Sequence, residues 1–318
     1  MPIARRLLAP IRQSSAMGRW VLYAGLVITA FFVVLAVFAP WIAPYGFAQA
    51  QDADGPFPKL APPGGAHLMG TDRAFYDVWS RVIWGARTEI TVVLIAVLIS
   101  LVVGVVLGLI SGYVGGWLDR VLVLVMDALY AFPSLLLAIV FAFLLTGILG
   151  GSITAAALSL TVIYMPQYFR VVRNTTVSAR EATYVEAARA IGAPRRTVIS
   201  KYIFGNVIQS VPVIGTLNAA DAISTLAALG FLGLGIQPTE AAEWGYDLSR
   251  ALPDVASGIW WTSVFPGLAI VLLVSGLTLV GEGLNETLNP TLRKRRLRKI
   301  TVPPRAPRTP APTPEATR

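Results

Sequence analysis

Tyr184-Val185-Glu186-Ala187-Ala188-Arg189-Ala190-Ile191-Gly192 is a charged, small-residue segment set between long apolar runs. Its local chemistry predicts a short helix. Thr183 stands where a hydroxyl caps a first turn, and Glu186, three residues on, completes a capping box. Gly192 supplies the stop, because the residue after a helix often takes a left-handed conformation that glycine reaches without a Cβ clash. Pro194 fits the first turn of a second helix, where its missing N–H is no loss, and Val198, Ile199, Tyr202 and Ile203 give that helix one apolar face. Two short helices at a sharp angle are therefore expected to project from a membrane. Ala187, Ala188 and Ala190 carry no bulk, so a partner's backbone or aromatic side chains can approach closely.

The runs on either side have the roughly 20-residue length needed to cross ~30 Å of hydrocarbon. Six such segments are expected, at about Trp20 to Ala43, Ile90 to Ile110, Val121 to Leu145, Ser152 to Val172, Val207 to Gly230 and Ile259 to Gly281. The fourth is the most polar, with Gln167 and Arg170 near its end. Pro40, Pro133, Pro166, Pro212 and Pro266 lie within or at the edges of these spans and predict kinks, since neighbouring helices can satisfy the freed carbonyls. Composition agrees: 55% of the 318 residues are hydrophobic and 14% charged, with a mean hydropathy of +0.66. A soluble fold of this size cannot hide so much apolar surface. The first span follows Arg5, Arg6, Arg12 and Arg19, and its length exceeds a signal-peptide core, so it reads as an uncleaved anchor.

Basic residues orient the chain. Of the 26 Lys and Arg, only Lys59, Arg73, Arg81, Arg87 and Arg250 fall outside if the N-terminus is inside. By the positive-inside rule, both termini and the Glu186 loop are expected to face the cytoplasm. The net charge of +9 then needs no nucleic acid to explain it: Arg293-Lys294-Arg295-Arg296-Leu297-Arg298-Lys299 reads as an orientation signal touching anionic membrane lipids.

The Glu186 segment resembles the cytoplasmic coupling loop of permease subunits in ATP-binding-cassette importers, whose pattern is E-A-A, three residues, then G. Stretches resembling the oligopeptide/dipeptide branch, in the subunit with a long loop after its first span, run from about residue 20 to residue 290. They include His67-Leu68-Met69-Gly70-Thr71-Asp72, Asp77-Val78-Trp79-Ser80-Arg81, Gly112-Tyr113-Val114-Gly115-Gly116-Trp117-Leu118-Asp119, Phe132-Pro133-Ser134-Leu135-Leu136-Leu137-Ala138, Gly230-Phe231-Leu232-Gly233-Leu234-Gly235-Ile236-Gln237-Pro238 and Gly281-Glu282-Gly283-Leu284 before Asn289-Pro290. The resemblance implies an all-α polytopic bacterial inner-membrane protein of six transmembrane helices with a cytoplasmic coupling loop. It implies a second homologous permease, two cytoplasmic ATP-binding subunits and an extracytoplasmic substrate-binding protein as partners. Glu186, Ala187, Ala188 and Gly192 would couple to the ATPase. Peptides lead as substrates, with nickel, opines, glutathione and glycosides as alternatives within the family and an ion-driven secondary transporter as the rival class. The chain departs from the family at Leu226, where a Glu is common, at Phe204-Gly205 in place of Leu-Pro, and at Phe75-Tyr76 in place of Gly-Arg.

The expected divisions are a cytoplasmic segment (1–19), the first span (20–43), an extracytoplasmic loop ending in an amphipathic stretch from Tyr76 to Ala86 (44–88), and a permease core (89–284) containing the coupling loop (178–206). A basic, Pro-rich cytoplasmic tail follows (285–318), and from Val302 it has too little apolar character to bury a core.

Catalytic chemistry is sparse. Zero cysteines exclude disulfides, iron-sulfur clusters and thiol catalysis. There is no G-x-x-x-x-G-K-[ST] phosphate loop, so no ATP site, and no cofactor is expected. Gly230 to Gly235 lacks the lysine and suits close packing or a turn. Ser134, Ser224 and Ser275 have no intramembrane histidine partner. His67, the sole histidine, could pair with Asp72 on a metal but reads better as a solvated loop residue. Two acids fall inside spans, where charge normally faces a cavity or a partner: Asp127, matched in the family, and Asp221, which is not. Each can line a pathway or make an interhelical bond, with Asn218 a candidate partner for Asp221.

Overall fold

A computed structural model describes residues 16–150, 152–208 and 211–288, and their regular structure is almost entirely helical. The basic run from Arg293, the Pro-rich tail and most of the N-terminal segment lie outside the described residues.

Helix α1 (Ala16–Ile42) is apolar on all sides. A long loop follows, with a two-residue hairpin, β1 (Gln51–Asp52) against β2 (Gly55–Pro56). Helix α2 (Val78–Val114) is one 37-residue rod. Asp77 starts it, its Oδ2 accepting from the Ser80 N–H at 2.8 Å. Gly115, at φ 68, ends it and donates its N–H to the Ser111 carbonyl at 3.0 Å. The amphipathic stretch from Tyr76 is thus mostly the first turns of the second span, which begins at Val78, ahead of residue 88.

The third span differs from the single helix expected over Val121 to Leu145. It is two helices, α3 (Gly116–Ala131) and α4 (Ser134–Leu149), bent by 100° at Phe132-Pro133. Proline has no N–H to continue the ladder and forces the preceding residue out of the helical region; Phe132 sits at φ −78, ψ 142. Helix α5 (Ser152–Arg180) runs through the buried Pro166 without ending. The Glu186 loop comprises α6 (Thr183–Ala190), α7 (Arg195–Thr197), a π-helical segment (Val198–Ile203) and α8 (Phe204–Val207). Three more helices complete the described chain: α9 (Val211–Phe231), α10 (Trp244–Val255) and α11 (Trp261–Leu288).

Among the described residues, α1, α2, α9 and α11 are long and apolar enough to cross a membrane, and α3 with α4 qualifies as a bent pair. Helix α5 has the length, about 43 Å at 1.5 Å per residue, but is more polar. It is held by α2. A Cβ on Gly104 would lie 2.6 Å from Tyr168 Cβ, one on Gly108 2.8 Å from the Phe169 carbonyl, and one on Gly112 2.8 Å from the Arg173 carbonyl. Three glycines four residues apart thus form a notch into which the α5 backbone sinks.

The main core gathers Leu160, Tyr164 and Tyr168 of α5, Ile223, Leu226 and Leu229 of α9, and Trp244 of α10 against α1 and α2. Large apolar faces stay open on α1, α4 and α11, as lipid or partner helices require.

Beyond one end of the spans the long loop is clamped by polar bonds. Arg81 on α2 chelates Asp247 on α10, Nε to Oδ1 at 2.8 Å, and Arg73 pairs with Asp254. Indole N–H groups of Trp244, Trp84 and Trp261 donate to the carbonyls of Val82, Tyr45 and Thr71. His67 is not solvated. It is 7% exposed, packed against Tyr45 and Phe57, and its Nδ1 lies 2.9 Å from Asp77 Oδ1; its partner is therefore Asp77 rather than Asp72. Sequence proximity suggested the wrong acid because the loop folds back through a Gly64–His67 bridge that turns the ring inward.

Candidate functional site

The Glu186 loop differs at its start from the expected capping box. The N-cap is Ala182, whose carbonyl accepts from the N–H groups of Val185 and Glu186 at 2.9 and 3.2 Å, and no side chain caps the helix. The chain turns helical one residue earlier than the box requires, so Thr183 is already in the first turn. The stop is as the sequence indicates. Gly192 sits at φ 83, its N–H donates to the Arg189 carbonyl at 3.0 Å, and the Ala193 N–H donates to the Ala188 carbonyl at 3.0 Å. These two bonds make a Schellman motif. Pro194 is the N-cap of α7, just outside its first turn, with its carbonyl accepting from Thr197 and Val198.

The loop has an inner and an outer face. Val185 packs with Val198, Ile203 and Val207 in a second core shared with Val105 of α2 and Val172 of α5. Ala188 is buried beside it, so it faces the chain's own interior. Glu186, Ala187 and Ala190 face outward, joined by Ile191, which is 83% exposed. Ile191 escaped the sequence reading because an apolar residue next to a glycine looks like the end of a buried face. Glu186 makes no ion pair among the described residues. The departure Phe204-Gly205 lies within α8, so the π-helical segment passes directly into helix.

The two intramembrane acids are not brought to one site. Asp127 on α3 is half-exposed and bonded to Arg170 of α5, Oδ1 to Nη2 at 2.9 Å, with the guanidinium 4.2 Å from the centre of the Tyr130 ring. It ties α3 to α5. Asp221 on α9 lines a cavity of about 220 Å³ beneath the α3–α4 break, with Tyr130, Phe132, Ser134, Tyr164 and Gln167. Tyr164 donates its hydroxyl to Asp221 Oδ2 at 2.8 Å and lies 3.1 Å from Thr225 Oγ1. Asn218 is not the partner of Asp221; it is buried beside Tyr168. Tyr164 holds the Asp221 carboxyl in place without supplying a cation, so the cavity is lined by a carboxyl group. A helix broken at a cavity is where membrane transporters place polar contacts for a substrate.

A second pair of acids lay outside the sequence reading. Glu243 caps α10, its two carboxylate oxygens each accepting from one of the N–H groups of Gly245 and Tyr246 at 2.7 Å, and its carboxyl faces that of Glu89 on α2. Burial pushes the Glu243 carboxyl above the usual carboxylate range. A Cβ on Gly230 would strike Glu243, so that glycine clears the space for the cap. A Glu two residues before a Gly carries no cap signature in sequence, and the Glu89 contact depends on a fold that joins α2 to α10.

Residues 104–294 match the family described as binding-protein-dependent transport system inner membrane component. The chain belongs to that family. Residues 20–63 match the N-terminal TM domain of oligopeptide transport permease C. The dipeptide transport system permease protein DppC of Escherichia coli is 45% identical over 277 residues, covering 85% of this chain and 89% of the relative. Its namesake in Alkalihalophilus pseudofirmus is 36% identical over 269 residues, 85% of each chain. The glutathione transport system permease protein GsiD of Shigella flexneri is 37% identical over 261 residues, 82% of this permease and 83% of that one. This permease is accordingly a multi-pass inner-membrane transport component of the oligopeptide/dipeptide type that works with ATPase and substrate-binding partners.

Proposed function

We propose that this permease imports di- or oligopeptides as one of two similar membrane subunits. Two cytoplasmic ATPase subunits drive it, and an extracytoplasmic binding protein delivers the substrate. The chain crosses the membrane six times, with α5 as the polar span and both termini in the cytoplasm. It does not itself bind ATP.

The observation that carries this reading is the two-faced docking loop. Val185 and Ala188 anchor α6 to α2 and α5, while Glu186, Ala187, Ala190 and Ile191 stand open to a partner. Closure of the ATPase subunits pushes on that outer face. The π-helical segment and α8 pass the movement to α9, which carries Asp221 at the cavity. The relatives' names give dipeptides and glutathione as cargo, and these share an ammonium group that a carboxylate attracts. Asp127 already pairs with Arg170, which argues against a carboxylate relay for ions running through both acids.

The test is Gly192→Val in the complete transporter reconstituted in proteoliposomes. Nothing lies within 4 Å of a Cβ at Gly192, so the substitution acts through the left-handed backbone, at about 1–2 kcal/mol or more for a β-branched residue. ATP hydrolysis persists while peptide uptake falls on the order of tenfold. Normal uptake by the variant, or wild-type uptake that survives ATP depletion at constant ion gradients, overturns the coupling reading.

A further inference from the structure

A cavity of about 510 Å³ opens where the docking loop meets the ends of α2 and α5, lined by Tyr113, Val114, Arg180, Arg189, Ala193, Arg195 and Val198. Three of these seven are arginines and none is acidic. Arg180 is fixed at the wall, its Nη1 donating to the carbonyls of Gly112 and Tyr113 at 3.2 and 3.3 Å. Its Nη2 meets Glu181, which is mostly exposed, a pairing that neutralises little. Arg189 lies 5.6 Å from the centre of the Tyr113 ring. Neither Arg189 nor Arg195 has an ion-pair partner among the described residues. The nearby Asp119 is engaged elsewhere, by Arg173 at 2.5 and 2.6 Å and by Ser111. The cavity thus concentrates positive charge, and among the described residues no acid pairs with its Arg189 or Arg195.

The surroundings identify what matches it. Immediately beyond the α2–α3 turn, Val114, Trp117 and Val121 are exposed, Trp117 at 74%. A bare tryptophan beside arginines at a helix end marks the headgroup level of a bilayer. Apolar surface for acyl chains and guanidinium groups for a phosphate therefore adjoin one another. We propose that this cavity binds the phosphate of an anionic phospholipid of the facing leaflet, with its acyl chains along Val114, Trp117 and Val121. Guanidinium groups suit a phosphodiester through paired N–H donors. Because Arg189 and Arg195 belong to the docking loop and Arg180 to α5, the lipid would brace the loop against the transmembrane helices. The inference takes the leaflet to be the cytoplasmic one, as in the function proposed above.

The test uses the complete transporter, stripped of lipid in detergent and titrated with phosphatidylglycerol, with phosphatidylcholine of the same chains, or with inorganic phosphate, and read by native mass spectrometry. Phosphatidylglycerol should be retained in preference to phosphatidylcholine, and Arg189→Gln with Arg195→Gln should weaken that retention on the order of tenfold, consistent with the contribution of basic residues at an anionic surface. Arg195→Gln alone, exposed and without an internal partner, should weaken it in part and guards against misfolding of the double variant. Equal retention of both lipids, or unchanged phosphatidylglycerol binding in the variants, overturns the proposal. Equally tight inorganic phosphate assigns the cavity to a free anion instead. Loss of ATPase subunits from the variants with lipid binding intact assigns the arginines to an acidic partner surface. Impermeant labelling of a cysteine at Ser200 reports the leaflet separately, so a wrong orientation and an absent lipid site give different results.

Discussion

Among the described residues a tyrosine hydroxyl holds Asp221 at the cavity wall, and that fixes what its removal should reveal. Asp221→Asn keeps an oxygen for Tyr164 and removes the charge. Assembly should be unchanged, and uptake of cationic peptides should fall more than that of acidic ones in a competition assay. Equal uptake of both classes would reduce Asp221 to an interhelical bond. Asp72 carries a different signature. Burial raises its carboxyl from 3.8 to about 6, against the lowering effect of the Tyr76 N–H and with Asp247 adding to the rise. A raised acid favours the fold while protonated, so its contribution is full below about pH 4 and is lost as the pH climbs through about 6. Melting curves of the wild type and Asp72→Asn should therefore coincide most closely near pH 4 and diverge above pH 6, with the variant the more stable. Sequence marked Asp221 because a carboxylate in an apolar run stands out. It could not assign Tyr164 as the partner, nor see Asp72 as half-buried and Glu243 as buried, since all three depend on which parts of the chain meet.

Helix pairing rests on glycine in one place and tolerates its loss in another. Gly108→Leu drives a side chain into the α5 backbone, where a Cβ already falls 2.8 Å from the Phe169 carbonyl; overpacking costs about 1–3 kcal/mol or more where backbone must move. Gly147, inside α4 with nothing within 4 Å of its Cβ, should accept alanine at no cost or gain up to about 1 kcal/mol of helix propensity. Thermal stability of the two variants in detergent should move in opposite directions, and equal effects would remove the notch as a stabilising contact. The glycine spacing on α2 was present in the sequence, yet nothing there named α5 as the helix it receives. Pro133 did announce a kink, but its 100° size reflects how α3 and α4 pack around α5 rather than the proline alone. The Glu186 loop was the element whose local geometry was most legible, since Gly192 and Pro194 act locally; its capping box failed because one residue of shift in a helix start lies below what a motif resolves.

For the whole molecule, composition was enough to place the chain in a membrane, while the crossing count was blurred by α5, which has the length of a span but is more polar than the others. The chain lacks cysteine, so single reporters need no background removal. Cysteines at the exposed Asp54 and Thr239 should react with an impermeant thiol reagent from outside, and one at the exposed Ser200 only after the membrane is opened. Outside reaction at Ser200 would invert the topology. The α2–α5 notch also constrains how the protein is made. Polar and charged residues make a helix leaving the insertion machinery harder to insert, and α5 brings Gln167 and Arg170 near one end of its span, with Arg173 just beyond. At ribosomal rates α2 waits roughly two to eight seconds, its groove facing lipid, while α3 and α4 are synthesised. When α5 emerges, that groove receives it as an intramolecular chaperone would, so a lesion there should show itself as a nascent chain degraded during biogenesis, before any transporter exists to run slowly.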